Sequence, residues 1–416
     1  MSGPMRTVEE QLADVLAVAR PTDPITLSLP GAAGLTLAED VHARVDVPVF
    51  DNSAMDGFAV RFADVAAAAP DAPVALRVVG DLPAGSGEDP SIGAGEAVRI
   101  MTGAPVPSDA EAVVPFEDTV GGLADSLGTA SVLRAPRAAG VHIRRRGEDL
   151  RAGDVVLSAG TALGPLQLAA AAATGVDRLV VSRPPRVMVI STGDEIVEPG
   201  ADLRRGQIPE SNSTLLAGLV RATGAELLWA TCVSDSPDEL RAALTENSEA
   251  DVVITSGGVS AGAYEVVRQV LASSTGAGDV MFSEVAMQPG KPQAFGRLTT
   301  GGLLFGLPGN PVSVAVSFEV FVRPALLAMQ GRRELHRPVL RLPAAVGWRT
   351  PPDRRQYLPA AIDRTDPARW TVRPATPGGS GSHLAAGLAH AEAYAVVPAE
   401  TAAVSAGDLV DVMLIS

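Results

Sequence analysis

The chain has 416 residues, a net charge of −15 and a pI near 4.8. That length accommodates roughly two to four domains, and the acidity argues against a nucleic-acid-binding surface as the main business. A single cysteine, Cys232, rules out an internal disulfide or a cysteine-rich metal site, and the five histidines (His42, His142, His336, His383 and His390) contain no i,i+4 pair. Carboxylates holding a hard ion such as magnesium are then the natural metal chemistry. No apolar run in the sequence approaches the ~20 residues that cross a bilayer, and Met1–Arg6 carries no signal-peptide core, so a cytoplasmic, soluble protein is expected.

Thr7-Val-Glu-Glu10 is a capping box, followed by Leu12, Val15, Leu16 and Ala19 at helical spacing and closed by Arg20-Pro21. Short β-like segments from Ile25 lead into the loop Asp51-Asn-Ser-Ala-Met-Asp-Gly57. From the residues alone, Asp51 and Asp56 serve either as turn formers or as ligands. Residues 58–140 read as a small β-rich domain, with Thr102-Gly103 just after a strand. His142-Ile-Arg-Arg-Arg-Gly-Glu-Asp149 packs three cations and two carboxylates into eight residues, as a solvated face or part of a site. Leu163–Gly175 reads as an alanine-rich helix, and Arg183-Pro-Pro185 as a linker.

Beyond the linker, strands and helices alternate. The pattern predicts strands at 187–190, 226–233, 251–256, 279–286 and 302–307, with a hairpin through Lys291. It predicts helices capped by Asn212 or Ser213, by Ser236, near Tyr264, and at Pro311, the last bent or ended at Arg323-Pro324. Cys232 is expected to be a buried, inert thiol. Together these describe a three-layer α/β domain with a largely parallel sheet. From about Arg332, strands at 339–343, 356–362, 370–373, 393–398 and 408–415 suit a small β-barrel or sandwich, with Gly378–His383 as its most polar loop.

Ligands on such a sheet bind beyond the carboxyl ends of its strands. Those ends carry Thr192-Gly-Asp-Glu195, Ser234-Asp235, Thr255-Ser-Gly-Gly258 and Leu307-Pro-Gly-Asn310. Glycines let backbone N–H groups approach an anion, and the helix after Ser260 would point its positive end at a phosphate. No Walker loop and no GxGxxG occurs, so NTPase and dinucleotide readings fail. Of 33 basic residues only Lys291 is a lysine. A compact ammonium suits a tight turn facing a small anion better than a planar guanidinium does.

Taken together, Asp51–Gly57, Met101-Thr-Gly-Ala-Pro-Val-Pro107, Arg145-Arg-Gly-Glu-Asp149, Ser191–Glu195, Ser256-Gly-Gly-Val-Ser260, Pro289-Gly-Lys-Pro292 and Gly306-Leu-Pro-Gly-Asn-Pro311 resemble the molybdopterin molybdenumtransferase family, from about residue 8 to 415. The chain is also similar to the C-terminal domain of gephyrin. The resemblance implies four regions: an elongated N-terminal part (1–47 and 141–182), a β-rich insertion (48–140), a molybdopterin-binding α/β domain (183–330) and a C-terminal β-barrel-like domain (331–416). It implies a homodimer with a composite active site, the Asp56 and Thr102 loops of one subunit completing the α/β domain of the other. The implied reaction places molybdenum from molybdate on adenylylated molybdopterin and releases AMP, with Mg2+ held by carboxylates.

On this resemblance Asp56, Glu195, Asp235 and Glu265 are the expected metal and catalytic carboxylates, with Lys291 as a catalytic cation. Thr102, Asp149, Ser256, Gly257, Gly258, Ser260, Gln288, Pro308, Pro311 and Ser382 are expected to bind substrate. Two departures stand out. Gln288 occupies a position where the family often has lysine, so molybdate binding is expected to rest on Lys291 plus an arginine. Tyr264-Glu265 replaces an aspartate-tyrosine pair, giving a longer carboxylate with shifted reach. Other molybdenum-cofactor biosynthesis proteins are the expected partners. A non-catalytic scaffold and a molybdopterin adenylyltransferase are the alternative functions, weakened respectively by the retained carboxylates with Lys291 and by the three regions outside the α/β domain.

Overall fold

The computed structural model describes residues 5–124, 127–246, 249–259, 266–272, 278–376 and 385–415. Glu265, Ser260, Ser382 and the expected helix start near Tyr264 lie outside them.

The first helix, Val8–Val18, begins with the capping box read from sequence: the Glu10 N–H donates to Thr7 Oγ1 (3.1 Å) and the Thr7 N–H to Glu10 Oε2 (2.9 Å). Sequence groups this helix with the elongated N-terminal part, yet its apolar face (Val8, Val15 and the following Ala19) packs into the core beneath the α/β sheet. The elongated part proper pairs Pro24–Ser28 with Arg178–Ser182 and Val41–His42 with Val155–Leu157, around Leu37, Leu163 and Val181. Residues 57–132 form a five-stranded sheet in the order Ala112–Pro115, Gly57–Val60, Glu96–Ile100, Val74–Leu82, Thr129–Val132.

The α/β unit comprises β1 (Arg186–Thr192), α1 (Asn212–Ala222), β2 (Glu226–Val233), α2 (Pro237–Glu246), β3 (Val252–Ser256), α3 (Val266–Ala272), β4 (Asp279–Glu284), β5 (Pro292–Arg297), β6 (Leu303–Leu307) and α4 (Pro311–Ser317). Its sheet runs β2-β1-β3-β6-β5-β4, parallel across the first four strands and antiparallel across the last two pairings. Strands β3 and β6 are buried at every residue and β1 at all but its first, as expected where helices cover both faces. Alternation along β1 sends Val187 and Val189 to the α1 side, with Leu216 and Val220, and Met188 and Ile190 to the α2–α3 side, with Leu240 and Val267. The sequence pattern does not resolve β5, a short strand rich in Pro, Gly and polar residues.

Three local readings change. Arg183 is more than a spacer: its guanidinium forks onto Asp251 (2.7 and 3.0 Å), pinning the linker to the start of β3. Desolvation pushes the Asp251 carboxyl pKa upward, but the Arg183 fork and the Arg186 N–H outweigh it and hold it below the ordinary value. Cys232 is exposed rather than buried, because β2 is an edge strand with one face half open. Its thiol pKa is raised by partial desolvation and then by the carboxylates of Glu210, Glu195 and Asp235. At Arg323-Pro324 the helix neither ends nor breaks. Proline cannot donate an N–H there, and the preceding turn, Phe318–Val322, widens to a π-helix before Arg323–Met329 continues. Against the expectation that no apolar run reaches bilayer-spanning length, Pro311–Met329 is apolar and long enough to do so, but 89% of its 18-residue window is buried in the core.

The C-terminal strands follow the order Met287–Gln288, Arg355–Asp363, Ala393–Val397, Leu409–Leu414, Val339–Pro343. Thr371–Pro374 pairs with Arg355–Asp363, and a bridge between Ala344 and Val372 brings the far edge back to it, a barrel-like closure. The first strand of this sheet is lent by the α/β unit: Met287 pairs with Arg355 and Gln288 with Gln356, in parallel.

Candidate functional site at the strand ends

Strand order reverses around β1. The chain leaves β1 to one side for β2, then crosses to β3 on the other, and this opens a crevice beyond the carboxyl ends of β1 and β3. A cleft of about 760 Å³ occupies that place. Glu195, Asp235, Gly257, Gly258, Gln288, Lys291, Pro308 and Pro311, all expected from sequence, line it.

Glycine is required at the β3 end. Gly257 has φ +94°, and a Cβ there would sit 2.7 Å from the Thr192 carbonyl oxygen. The next loop also comes close, since a Cβ on Gly309 would lie 3.5 Å from Gly257 Cα. The loops after β1 and β2 are tied by a reciprocal pair: the Asp235 N–H donates to Asp194 Oδ1 (2.9 Å) and the Asp194 N–H to Asp235 Oδ2 (3.4 Å).

Lys291 follows a turn fixed from below, where Gln293 Nε2 donates to the Gly290 carbonyl (2.7 Å) and to Ser317 Oγ (2.8 Å). Its ammonium lies 3.0 Å from Glu284 Oε2, with both side chains about two-fifths exposed. Such a pair contributes under ~1 kcal/mol to stability, so the ammonium is cheaply redirected to a stronger anion.

Ser256 does not line the cleft. Its hydroxyl donates to Ser191 Oγ (3.1 Å), and Ser191 in turn donates to Glu210 Oε1 (3.0 Å). Glu210 also accepts from the Ser213 N–H (2.7 Å) and hydroxyl (2.5 Å) at the start of α1. A carboxylate suits this place because helix N-terminal N–H groups lack intrahelical acceptors. Glu210 lines the cleft and escaped sequence reading; Glu-Ser-Asn-Ser beside a helix start was the available signal. Asn212 and Ser313 line it too, as does Arg354, from the loop before Arg355–Asp363. Lys291 and Arg354 are the cations lining the cleft among the described residues.

Asp56, Thr102 and Asp149 lie outside this cleft. Asp56 Oδ1 accepts from the Thr102 N–H (2.6 Å) and hydroxyl (2.7 Å), and those bonds, the backbone one first, hold its pKa below the ordinary carboxylate value. In the basic run, Arg145 pairs with Asp51 (2.6 Å) and Arg146 with Asp46, while the Asp149 N–H donates to the Val47 carbonyl (3.0 Å). Among the described residues, no three His, Cys, Asp or Glu side chains converge as a metal cage.

Comparison with known proteins gives consistent findings over the whole chain. Residues 6–175 match the MoeA N-terminal region (domain I and II), 188–328 a probable molybdopterin binding domain, and 341–415 the MoeA C-terminal region (domain IV). Molybdopterin molybdenumtransferase 2 of Mycobacterium tuberculosis is 43% identical, covering 97% of this chain and 98% of that protein. The molybdopterin molybdenumtransferase of Haemophilus influenzae is 35% identical over 94% of each. The crystal structure of a molybdopterin biosynthesis MoeA protein from Pyrococcus horikoshii superposes with a TM-score of 0.82 at 27% identity, covering 99% of this chain and 100% of that one.

Proposed function

The chain belongs to the molybdopterin molybdenumtransferase family, and from that membership we propose that it inserts molybdenum from molybdate into adenylylated molybdopterin, releasing AMP. The observation that carries this is the pairing of cations and carboxylates in one cleft at the strand ends: Lys291 and Arg354 with Glu195, Glu210 and Asp235. In an acidic chain, two cations so placed suit an oxoanion. The apolar wall of Ile196, Ile208, Val259 and Met287 suits the flat face of a heterocycle. Relatives matching over nearly the full chain are named for molybdenum transfer, which favours insertion over adenylyl transfer or scaffolding.

In the proposed mechanism, Lys291 and Arg354 hold molybdate near the pterin dithiolate. Water cleaves the phosphoanhydride, AMP leaves with the release of two protons, and the two pterin sulfurs displace one oxygen of molybdate, which takes those protons and leaves as water. Magnesium usually keeps several waters and takes only one or two carboxylates plus substrate phosphates, a demand that Glu195 and Asp235 meet without a prebuilt cage. When bound, it would polarise the phosphoanhydride. Gly257 and Gly258 offer backbone N–H groups, while Gln288, Pro308 and Pro311 shape the anion side; Ser256 acts from beneath through Ser191. Glu265, Ser260 and Ser382 are proposed to complete the site.

We further propose a cytoplasmic homodimer in which Asp56 and Thr102, supported by Asp149, approach this cleft from the partner subunit, with domain divisions at 1–47 with 141–182, 48–140, 183–330 and 331–416. Purified protein given adenylylated molybdopterin, magnesium and molybdate is expected to release AMP in step with cofactor formation. Absence of molybdate-dependent AMP release would refute the proposal.

A further inference from the structure

Two side chains on the cleft floor have hydrogen-bonding capacity that the chain itself does not use. Thr192 is 4% exposed and Asn212 is 6% exposed, both line the cleft, and Thr192 Oγ1 and Asn212 Oδ1 are buried without a partner. Leaving such atoms unpaired is costly in a folded chain, so native structures rarely tolerate it without a reason. The amide of Asn212 is oriented unambiguously. Its Nδ2 donates to the Gly309 carbonyl at 2.7 Å, and a flipped amide would set oxygen against oxygen. Oδ1 is therefore a fixed acceptor. Thr192 Oγ1 lies against Gly257, since a Cβ there would come within 2.9 Å of it, and Gly257 in turn touches Gly309. The two free oxygens thus flank a single glycine–glycine contact where the loops after β1, β3 and β6 meet the start of α1.

Asn212 Oδ1 can only accept and so needs a donor, which a fully ionised oxoanion or phosphodiester lacks, whereas the Thr192 hydroxyl can accept or donate. N–H donors belong to the heterocycles. We propose that Asn212 Oδ1 accepts from the N–H edge of the pterin ring and that the Thr192 hydroxyl pairs with the same amide edge, which makes them specificity-determining residues. The pterin is favoured over the adenine because both residues lie within the segment matching a probable molybdopterin binding domain. This inference rests on the proposed function and adds the orientation of its substrate. A pterin held by its amide edge presents its ring in one sense only, which fixes where its dithiolate side chain emerges.

The test is equilibrium dialysis under anaerobic conditions with three separate probes: molybdopterin, AMP and molybdate. Thr192→Val keeps the side-chain shape and breaks no bond within the chain, so its melting temperature is expected to be unchanged or raised. Asn212→Leu also loses the bond to Gly309, and its melting temperature serves as the folding control. Both are expected to weaken molybdopterin binding by roughly tenfold, the cost of one hydrogen bond lost at the ring edge, with AMP and molybdate binding unchanged. Wild-type molybdopterin affinity in Thr192→Val would overturn the inference alone, as would a loss confined to AMP. A wild-type chain that binds no molybdopterin would overturn this inference together with the proposed function.

Discussion

The cleft at the strand ends and the Asp56 loop both present carboxylates, but they are built in opposite ways. Around the cleft, polar groups come from four strand ends, and several are held from a neighbouring loop: Asp194 and Asp235 by each other's N–H, and Glu210 by Ser191 and Ser213. Two oxygens there, on Thr192 and Asn212, remain without a protein donor. In the insertion, Asp56 receives both of its hydrogen bonds from one residue, Thr102, on the neighbouring strand end of the same small sheet. The first arrangement is a receptor with unspent capacity, whose parts depend on the whole α/β fold. The second is a self-contained tip whose bonds lie within its own small sheet, the property that the proposed delivery to a partner subunit's site requires.

The largest effect is expected in the receptor. Lys291→Arg should lower molybdate-dependent turnover by roughly a hundredfold, because a planar fork cannot replace a point charge in that turn. Its melting temperature should stay at the wild-type value, since the exposed pair with Glu284 is worth under ~1 kcal/mol. Wild-type turnover would show that the lone lysine is incidental. The relation between the two regions is tested next by mixing. Asp56→Asn and Lys291→Ala should each be inactive alone, whereas an equimolar, freely reassorted mixture should recover roughly a quarter of wild-type activity, because about half of its dimers are mixed and each of those holds one intact composite site of two. No recovery would place both residues in one subunit's site.

Glu210→Gln probes the dependence of the receptor on its surroundings. Loss of the charge that accepts from the start of α1 should cost about 1 kcal/mol, a drop of roughly 1–3 °C in a calorimetric scan. The smallest effect is expected at the self-contained tip. The folded-state pKa of Asp56 is depressed, so its contribution to stability is complete above the unfolded carboxylate pKa of about 3.9 and is lost as pH falls through the lower folded value. Thr102→Val removes the hydroxyl bond and keeps the backbone one. A slight loss of stability at pH 7 should therefore close as the pH drops through that window, measured as urea midpoints across a pH series. A loss that persists unchanged in acid would assign it to packing around Thr102 instead.

What could be read from sequence follows from how locally each feature is specified. Strands β1, β3 and β6 are legible because burial on both faces writes them as continuous apolar runs, and the turns after them because glycine at Gly257 answers a local backbone demand. Glu210 is half legible: its bonds to Ser213 at the helix start are local, but its bond to Ser191, 19 positions earlier on another element, is not. Gln288 raises the expectation of an arginine beside Lys291 but names none. Arg354 is one arginine among 32, set in a different sheet and brought to the cleft by chain pairing that no local pattern records. Cys232 misled because a run of apolar residues looks alike on an inner and an edge strand.

That pairing has a mechanical consequence. Met287–Gln288 lies in register with Arg355–Gln356, and the Arg355 N–H donates to the Ala286 carbonyl (2.9 Å). Lys291 stands three residues beyond the upper rung and Arg354 two before its counterpart. The backbone positions from which the two cations extend are thus related by a two-rung ladder between units. The ladder works as a ruler for the two backbones: a slip of one residue would change which residue stands beside the strand end, so the points from which the two side chains set out are fixed in whole residues while the side chains stay free to turn.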